Sequence, residues 1–217
     1  MAIRGIIFDL DGTLLDTLGD IHAAVNYAMN ALDLPARDIK EVKSMIGDGA
    51  AKLIERALPK DAPACKDDAL RLFSYYYERH MCVLSKPYDG ICELISRLRG
   101  KINLAVLSNK PDWAVKTIVP VYFGDAFDIA LGGRDGIPLK PNPKAALDII
   151  SKWGISPRET LFIGDGVQDI KTAMASKTIA IGVGWGFGDR HKLIDTGAKF
   201  ICDCACEIAG LIEREQL

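Results

Sequence analysis

The sequence predicts an α/β fold in which a doubly wound parallel sheet carries an inserted helical cap. Over most of the chain, short apolar runs rich in β-branched residues alternate with segments of helical periodicity. Crossovers between parallel strands are long and right-handed, so this alternation indicates a parallel sheet with helices on both faces. One long stretch near the N-terminus contains helical patterns and no convincing strand. That stretch indicates an insertion into the sheet domain.

The strand candidates of the core are short and almost wholly apolar, as expected for strands that are buried on both faces. Between most of them, residues such as Ile91, Leu94, Ile95 and Leu98 recur at the spacing of one helix face. This is the layout of a Rossmann-like core. The predicted strands cover residues 3–8, 102–107, 127–131, 160–163, 178–183 and 199–201.

The insertion is predicted to form a separate helical cap. Ile21, Ala24, Val25 and Ala28 recur at the spacing of a helix face, and similar patterns follow later in the same stretch. A chain of 217 residues can bury one main core together with a modest accessory unit. We therefore expect a core domain made of residues 1–15 and 86–217, and a helical cap domain made of residues 16–85.

Charge and hydropathy narrow the range of partners. The formal net charge is -2 and the sequence pI is about 5.9, so no overall basic field attracts nucleic acid. No segment approaches the ~18 apolar residues of a membrane span. The N-terminus enters a strand pattern at once and meets Asp9 and Asp11, unlike a secretory signal peptide. We expect a cytoplasmic monomer or homodimer that binds a small molecule, with no nucleic-acid or membrane partner.

The cysteines show no disulfide framework of a small secreted protein, and we expect all of them to be reduced thiols. The run from Cys202 to Cys206 could suggest a metal, but a structural zinc site needs four ligands and no fourth is evident. We expect small buried or half-exposed residues there. The cysteines are Cys65, Cys82, Cys92, Cys202, Cys204 and Cys206.

Polar residues follow the predicted strands at the edge where an open α/β sheet binds ligands. Each of these residues, taken alone, has an ordinary structural explanation, since Asp-Gly is a common turn and Ser-Asn a common helix cap. Together, however, carboxylates gathered at one edge repel each other unless a cation lies among them. Mg²⁺ suits such oxygen ligands and commonly shares its shell with a phosphate. The residues are Asp9, Asp11, Gly12, Thr13, Ser108, Asn109, Lys140, Asp165 and Asp169.

These residues fall into motifs that resemble those of the haloacid dehalogenase superfamily. The first motif is matched by residues 9–17, the second by Ser108-Asn109-Lys110, the third by residues 140–143, and the fourth by residues 164–169. The resemblance covers nearly the whole chain and includes a helical cap between the first two motifs. Because Asp11 provides the second acid of an Asp-x-Asp motif, it implies phosphate chemistry rather than dehalogenation.

The resemblance also implies roles for these residues. Asp9 is the expected nucleophile and forms an aspartyl phosphate, while Asp11 is the expected acid and base. Ser108 and Lys140 are expected to stabilise the transferring phosphoryl group. Mg²⁺ is expected to bind Asp9, the backbone carbonyl of Asp11, and Asp165, with Asp169 acting directly, through a water or through Lys140.

Within the superfamily, the chain looks like the phosphoglycolate phosphatase branch, on the evidence of residues 47–50 in the cap and residues 182–186 near the end. Three positions depart from the family pattern: Gly166 replaces a common Ser, a common Gly is missing near Lys177, and Asp48 replaces a usually neutral residue. Lys52 and Arg56 lie four residues apart on one helix face and could meet a distal anion of the substrate. The expected substrate contacts are Thr13, Ser108, Asn109 and Lys140 on the core, and Gly47, Asp48, Gly49, Lys52 and Arg56 in the cap.

Other functions remain open at this point. A sugar phosphomutase of the same superfamily would return the phosphoryl group to a second hydroxyl instead of to water. A pyrophosphatase or nucleotidase would keep the chemistry and change the leaving group. A protein of a different class, which only binds phosphorylated ligands, would lack turnover although every candidate catalytic residue is present.

Overall fold

A parallel sheet forms the core of the protein. The computed structural model describes residues 2–60 and 62–215, so Met1, Asp61 and residues 216–217 of the predicted domains lie outside the described residues. Within the described part, six strands follow the order β5-β4-β1-β6-β7-β8 and all neighbours are parallel. They are β1 (Gly5–Phe8), β4 (Asn103–Pro111), β5 (Ile129–Gly133), β6 (Thr160–Gly164), β7 (Ile179–Val183) and β8 (Phe200–Cys202).

Helices cover both faces of this sheet, because its strands present apolar side chains in both directions. Ile6 and Phe8 of β1 pack into one apolar cluster, whereas Ile7 packs into another cluster together with Phe162 and Ala146. The predicted α/β doubly wound fold is confirmed. The core helices are α5 (Ile91–Leu98), α6 (Asp112–Phe123), α7 (Lys144–Trp153), α8 (Val167–Ser176), α9 (Arg190–Thr196) and α10 (Ala205–Glu215).

The strand order places a crevice beside the first strand. Strands are added to one side of β1 first and to the other side afterwards, so the direction of winding reverses between β1 and β6. Helices on either side of such a reversal diverge, which leaves a crevice at the carboxyl ends of the strands. Asp9 directly follows β1 and Asp165 directly follows β6. The topology alone therefore brings these two carboxylates together.

The inserted segment forms a cap with its own apolar core. Helix α1 (Leu18–Ala31) packs against α4 (Lys66–His80), and α2 (Ile39–Met45) and α3 (Ala50–Ala57) complete the unit. The cap joins the core through a short antiparallel pair, β2 (Leu15–Asp16) and β3 (Lys86–Pro87). Across residues 2–60 and 62–215, none of the helices is both long enough and apolar enough to traverse a lipid bilayer.

A buried carboxylate holds the two ends of the cap together. Asp20 in α1 accepts hydrogen bonds from the backbone N–H groups of Leu84 and Ser85 at 2.9 and 2.8 Å. The hydroxyl of Ser85 donates a third bond to Asp20 Oδ2 at 2.6 Å. Bonds to a charged group are stronger than neutral ones. The start and the end of the insertion are thus tied at one point beside the short β2–β3 pair.

The prediction that all cysteines are reduced thiols is wrong for two of them. Cys204 and Cys206 form a disulfide at the start of α10, with a Cα–Cα distance of 5.3 Å that lies in the range a disulfide requires. Composition cannot reveal this pairing, because it depends on how the loop after β8 turns. Cys65, Cys82, Cys92 and Cys202 are free thiols, and Cys202 is buried.

Lys177 occupies a backbone conformation that favours glycine. It ends helix α8 with a φ of 61°, in the left-handed region. A side chain there costs about 1 kcal/mol, and glycine avoids this cost. The structure thus accounts for one departure from the family pattern, since a glycine is common near this position.

We predict that Lys177→Gly stabilises the protein by about 1 kcal/mol, because it removes the left-handed strain at the end of α8. Chemical denaturation followed by circular dichroism would measure the free energy of unfolding. Lys152→Gly, at an exposed position inside α7, is the matched control and should destabilise by about 1 kcal/mol. A destabilised Lys177→Gly variant would contradict the interpretation.

Candidate active site

The polar residues that follow the core strands meet around one cavity. It has a volume of about 520 Å³ and lies between the carboxyl edge of the sheet and the cap. Residues far apart in the chain come together here because parallel strands end at the same edge. From the core, its lining includes Asp9, Asp11, Ser108, Asn109, Lys110, Lys140, Asp165 and Asp169.

Three buried carboxylates form a cluster in this cavity. One oxygen each of Asp9, Asp165 and Asp169 lies within 4.8 Å of the other two. Burial raises the pKa of Asp9 above its ordinary value, and the two other carboxylates add to this against the opposing effect of Lys140. Burial and Asp169 likewise raise the pKa of Asp165. An all-oxygen acidic donor set suits a hard divalent cation, which would relieve the repulsion, so these residues fit a metal.

Lys140 brings a fixed positive charge into the cluster. Its Nζ donates to Asp9 Oδ1 at 2.7 Å and to Asp169 Oδ1 at 2.6 Å, and its side chain is 4% exposed. Burial alone would lower the pKa of Lys140, but Asp169 and Asp9 outweigh this effect and raise the pKa. The ammonium group therefore stays charged beside Asp9.

Thr13 and the chain around residue 187 orient Asp165. The Thr13 hydroxyl donates to Asp165 Oδ1 at 3.0 Å and accepts the Asp165 backbone N–H at 3.0 Å. The N–H groups of Phe187 and Gly188 donate to Asp165 Oδ2 at 2.7 and 3.2 Å. Trp185 Nε1 donates to the carbonyl of Thr13 at 3.1 Å. Thr13 thus supports a carboxylate of the cluster and is completely buried, rather than lining the cavity.

Gly12 allows the turn after Asp11 to lie against Asp165. Its φ is 85°, and a Cβ atom at this position would overlap the Asp165 carboxylate. Both the backbone conformation and the lack of space therefore require glycine. The Asp-Gly dipeptide, which the sequence alone leaves as a common turn, is here a condition for packing the loop after β1 against the loop after β6.

Asn109 links the phosphate side of the site to the cap. Its side-chain oxygen accepts the Lys140 N–H at 2.8 Å, while its Nδ2 donates to the carbonyls of Lys140 and Gly47 at 3.0 and 2.9 Å. Gly49 lies close by, since a Cβ there would be 3.1 Å from the Asn109 carbonyl. Ser108 is buried, and its hydroxyl accepts the backbone N–H of Lys110 at 3.3 Å.

Lys110 is a residue of the site that the sequence reasoning did not assign. Its Nζ donates to Asp11 Oδ1 and Oδ2 at 2.9 and 3.1 Å. Thr17 donates its hydroxyl to the same Oδ1 at 2.7 Å. The carboxylate of Asp11 is therefore outside the three-carboxylate cluster. A lysine at the end of a buried strand, directly after Ser108-Asn109, is the signal that could have identified it.

The cap supplies charged groups on the opposite side of the cavity. Asp48 accepts a hydrogen bond from Gln168 Nε2 of the core at 2.7 Å and is ion-paired with Arg56. Although partial burial opposes it, these contacts lower the pKa of Asp48. Lys43 Nζ reaches the carbonyl of Gly186 at 3.3 Å. The cap and core thus meet through polar contacts at the rim of the cavity.

Of the two cap cations predicted to meet a substrate, the structure brings only one to the cavity. Arg56 is part of the lining, together with Lys43, Gly47, Asp48, Gly49 and Lys192. Lys52 is outside the lining, and its Nζ pairs with Glu55 at 2.9 Å on the exposed side of α3. Helical spacing placed the two residues on one face, but that face is wider than the part that reaches the cavity.

Comparison with known proteins agrees with this geometry. Residues 3–176 match the family described as haloacid dehalogenase-like hydrolase. A phosphoglycolate phosphatase of Chromobacterium violaceum is 32% identical over 98% of this chain and 97% of its own length. Another, from Pasteurella multocida, is 31% identical over 95% and 96% of the two chains.

A crystal structure from Lactobacillus delbrueckii subsp. bulgaricus, of a candidate phosphoglycolate phosphatase, matches with a TM-score of 0.89 and 31% identity over 98% of this chain and 99% of that one. The fold and the comparisons thus define a hydrolase with an α/β core. The chain belongs to the haloacid dehalogenase-like hydrolases and, within them, to the phosphatases, which hydrolyse phosphoric monoesters.

We predict that Gly12→Ala destabilises the protein by more than Gly100→Ala does. Both glycines have a positive φ, of 85° and 73°, so both variants should lose about 1 kcal/mol through backbone strain. Only at Gly12 does the new methyl group meet another side chain, since no atom lies within 4 Å of a Cβ at Gly100. Chemical denaturation would compare the two. Equal losses would show that the contact with Asp165 tolerates a methyl group.

Proposed function

We propose that this phosphatase is Mg²⁺-dependent and hydrolyses small phosphate monoesters with a second anionic group, in the manner of a phosphoglycolate phosphatase, through an aspartyl phosphate on Asp9. The observation that carries the proposal is the Asp9 carboxylate at the crevice of the sheet, bonded to Lys140 and clustered with Asp165 and Asp169. The names of the curated relatives support the substrate class.

The first step is nucleophilic displacement at phosphorus. A carboxylate oxygen of Asp9 attacks in line, the bond from phosphorus to the leaving oxygen breaks, and Asp11 gives a proton to that oxygen. Lys140 and the Ser108 hydroxyl supply positive charge and a donor for the phosphoryl oxygens. Splitting one hard displacement into two easier ones is the gain from covalent catalysis.

The second step hydrolyses the acyl phosphate. Asp11 is now a carboxylate and takes a proton from the attacking water, the bond from phosphorus to Asp9 breaks, and phosphate leaves. Asp9 is thereby regenerated as a carboxylate. Closure of the cap over the cavity limits the access of bulk water and of other acceptors during both steps.

Mg²⁺ would be held by the carboxylates of Asp9 and Asp165, with the backbone carbonyl of Asp11 as a further ligand. Both oxygens of Asp169 already accept hydrogen bonds, from Lys140 at 2.6 Å and from the Gly166 N–H at 2.9 Å. This supports a role for Asp169 through Lys140 or a water. When bound, the cation neutralises the site and allows a phosphate dianion to approach Asp9.

The charges of the cap support a leaving group that carries an anion. Lys43 and Arg56 of the cap line the cavity together with Lys192 of the core helix α9, and two carboxylates, Asp48 and Asp189, line it as well. The negative charge of Asp48 is offset by Arg56, so an anion in the substrate would meet a net positive surface. The expectations of a cytoplasmic monomer or homodimer without a nucleic-acid partner rest on sequence alone and stay predictions.

We predict that hydrolysis of an aryl phosphate by the wild-type protein collapses on chelation and returns with added Mg²⁺, because unscreened carboxylates repel the phosphate dianion. Asp9→Asn should abolish turnover with the fold intact, since an amide of the same shape cannot attack phosphorus. Phosphate release, with and without chelator, and circular dichroism would measure both. Full activity in excess chelator, or in Asp9→Asn, would refute the mechanism.

We predict that Arg56→Ala raises KM about tenfold for 2-phosphoglycolate, and much less for an aryl phosphate whose leaving group carries no second anionic group. The variant removes one cavity cation and leaves Asp48 unpaired, a loss on the order of 1.4 kcal/mol. Steady-state kinetics would compare the esters. Lys52→Ala is the matched control, because Lys52 lies outside the lining of the cavity. Equal effects on both esters would place substrate discrimination elsewhere in the cap.

A further inference from the structure

Lys110 is a buried cation to which the mechanism above gives no role. Its side chain is 4% exposed, and its Nζ bonds both oxygens of Asp11. A buried ammonium is stable only when paired, and Asp11 provides that pairing. The ion pair therefore fixes Lys110 and also fixes the residue proposed to transfer the proton.

The contacts hold the Asp11 carboxylate from several directions. Thr17 bonds Oδ1 at 2.7 Å from the segment that leads into the cap, and Lys110 bonds both oxygens from the end of β4. The side chain of Asp11 has only two rotatable bonds, so contacts from two separate elements leave it one orientation. Without Lys110, the single bond from Thr17 would allow rotation.

The cap covers this ion pair with an aromatic ring. Lys110 Nζ lies 4.6 Å from the ring centroid of Tyr77 in α4, a distance at which the ring face attracts a cation. The Tyr77 hydroxyl is buried and has no hydrogen-bond partner among the described residues. Tyr77 therefore faces the ammonium group of Lys110 with its ring, and its hydroxyl lies close enough to that group to act on it electrostatically.

We propose that Lys110 is a positioning residue that orients Asp11 for proton transfer to the leaving oxygen, and that Tyr77 holds Lys110 in place when the cap lies over the site. This inference rests on the proposed phosphatase mechanism. It assigns to Lys110 the orientation of a carboxylate and no contact with the phosphoryl group.

The test compares two esters whose leaving groups differ in their need for a proton. A p-nitrophenolate leaves without protonation, whereas the alkoxide of a simple alkyl phosphate does not. Lys110→Met keeps the length and apolar stem of the side chain. It should reduce kcat/KM for the alkyl ester about 100-fold, because kcat/KM reports the transfer to Asp9 and not the later hydrolysis that both esters share. The loss for the aryl ester should be only a few-fold. Lys152→Met, at an exposed position in α7, controls for the loss of one charge.

Binding of Mg²⁺ gives a second readout that does not depend on turnover. Removing the positive charge of Lys110 leaves the carboxylates more negative, so calorimetry should show a several-fold tighter affinity for Mg²⁺ in Lys110→Met. A residue that only supports the fold would change the affinity in the opposite direction, because a disordered site binds the cation more weakly.

If Lys110→Met does not fold, variants of Tyr77 test the same contact from the cap side. Tyr77→Leu removes the ring face and should reproduce part of the loss that is selective for the alkyl ester, whereas Tyr77→Phe should lose less. Equal losses of kcat/KM on the two esters, or a gain on the alkyl ester, would overturn the role of Lys110. Failure of the wild-type protein to hydrolyse either ester would instead refute the proposed function.

Discussion

The structure depends on the concentration of negative charge at the carboxyl edge of β1 and β6. Parallel strands bring Asp9 and Asp165 together in a crevice, and the first turn of α8 adds Asp169. Buried carboxylates repel each other, so the surrounding groups must offset this charge. Lys140, Lys110, Thr13 and the N–H groups around residue 187 provide much of the balance. A divalent cation, which an all-oxygen acidic donor set suits, would offset the remainder.

Much of the fold could be predicted from the sequence because its signals are local. A buried parallel strand is a short apolar run, and each predicted core strand overlaps a strand of the structure. The residues that follow those strands could also be predicted, because strand ends share one edge of the sheet. The disulfide between Cys204 and Cys206 could not, since it depends on the path of a loop.

The contacts of the cap were harder to predict. Helical spacing shows which residues share a face of a helix, but not which of them reach the cavity. Lys52 and Arg56 were predicted on one face of α3, but only Arg56 lines the cavity. Lys110 was missed for a different reason. Its partner Asp11 lies far away in the chain, so the position of Lys110 at the end of a buried strand indicates burial but not the residue with which it pairs. Residues whose role depends on tertiary pairing are the ones that sequence patterns leave out.

The bonds of Asn109 have a consequence for how caps can change while the chemistry is kept. One amide group holds the backbone of Lys140 and also the carbonyl of Gly47 in the cap. The acceptor of this hydrogen bond in the cap is a backbone carbonyl oxygen, which every amino acid carries. This hydrogen bond therefore constrains the path of the cap loop, and side chains are constrained only at Gly47 and Gly49, whose φ values of 122° and 88° favour glycine. A cap of different sequence can be placed over the same core and still close against the same amide, so that new substrate pockets can arise without disturbing the lysine beside the nucleophile.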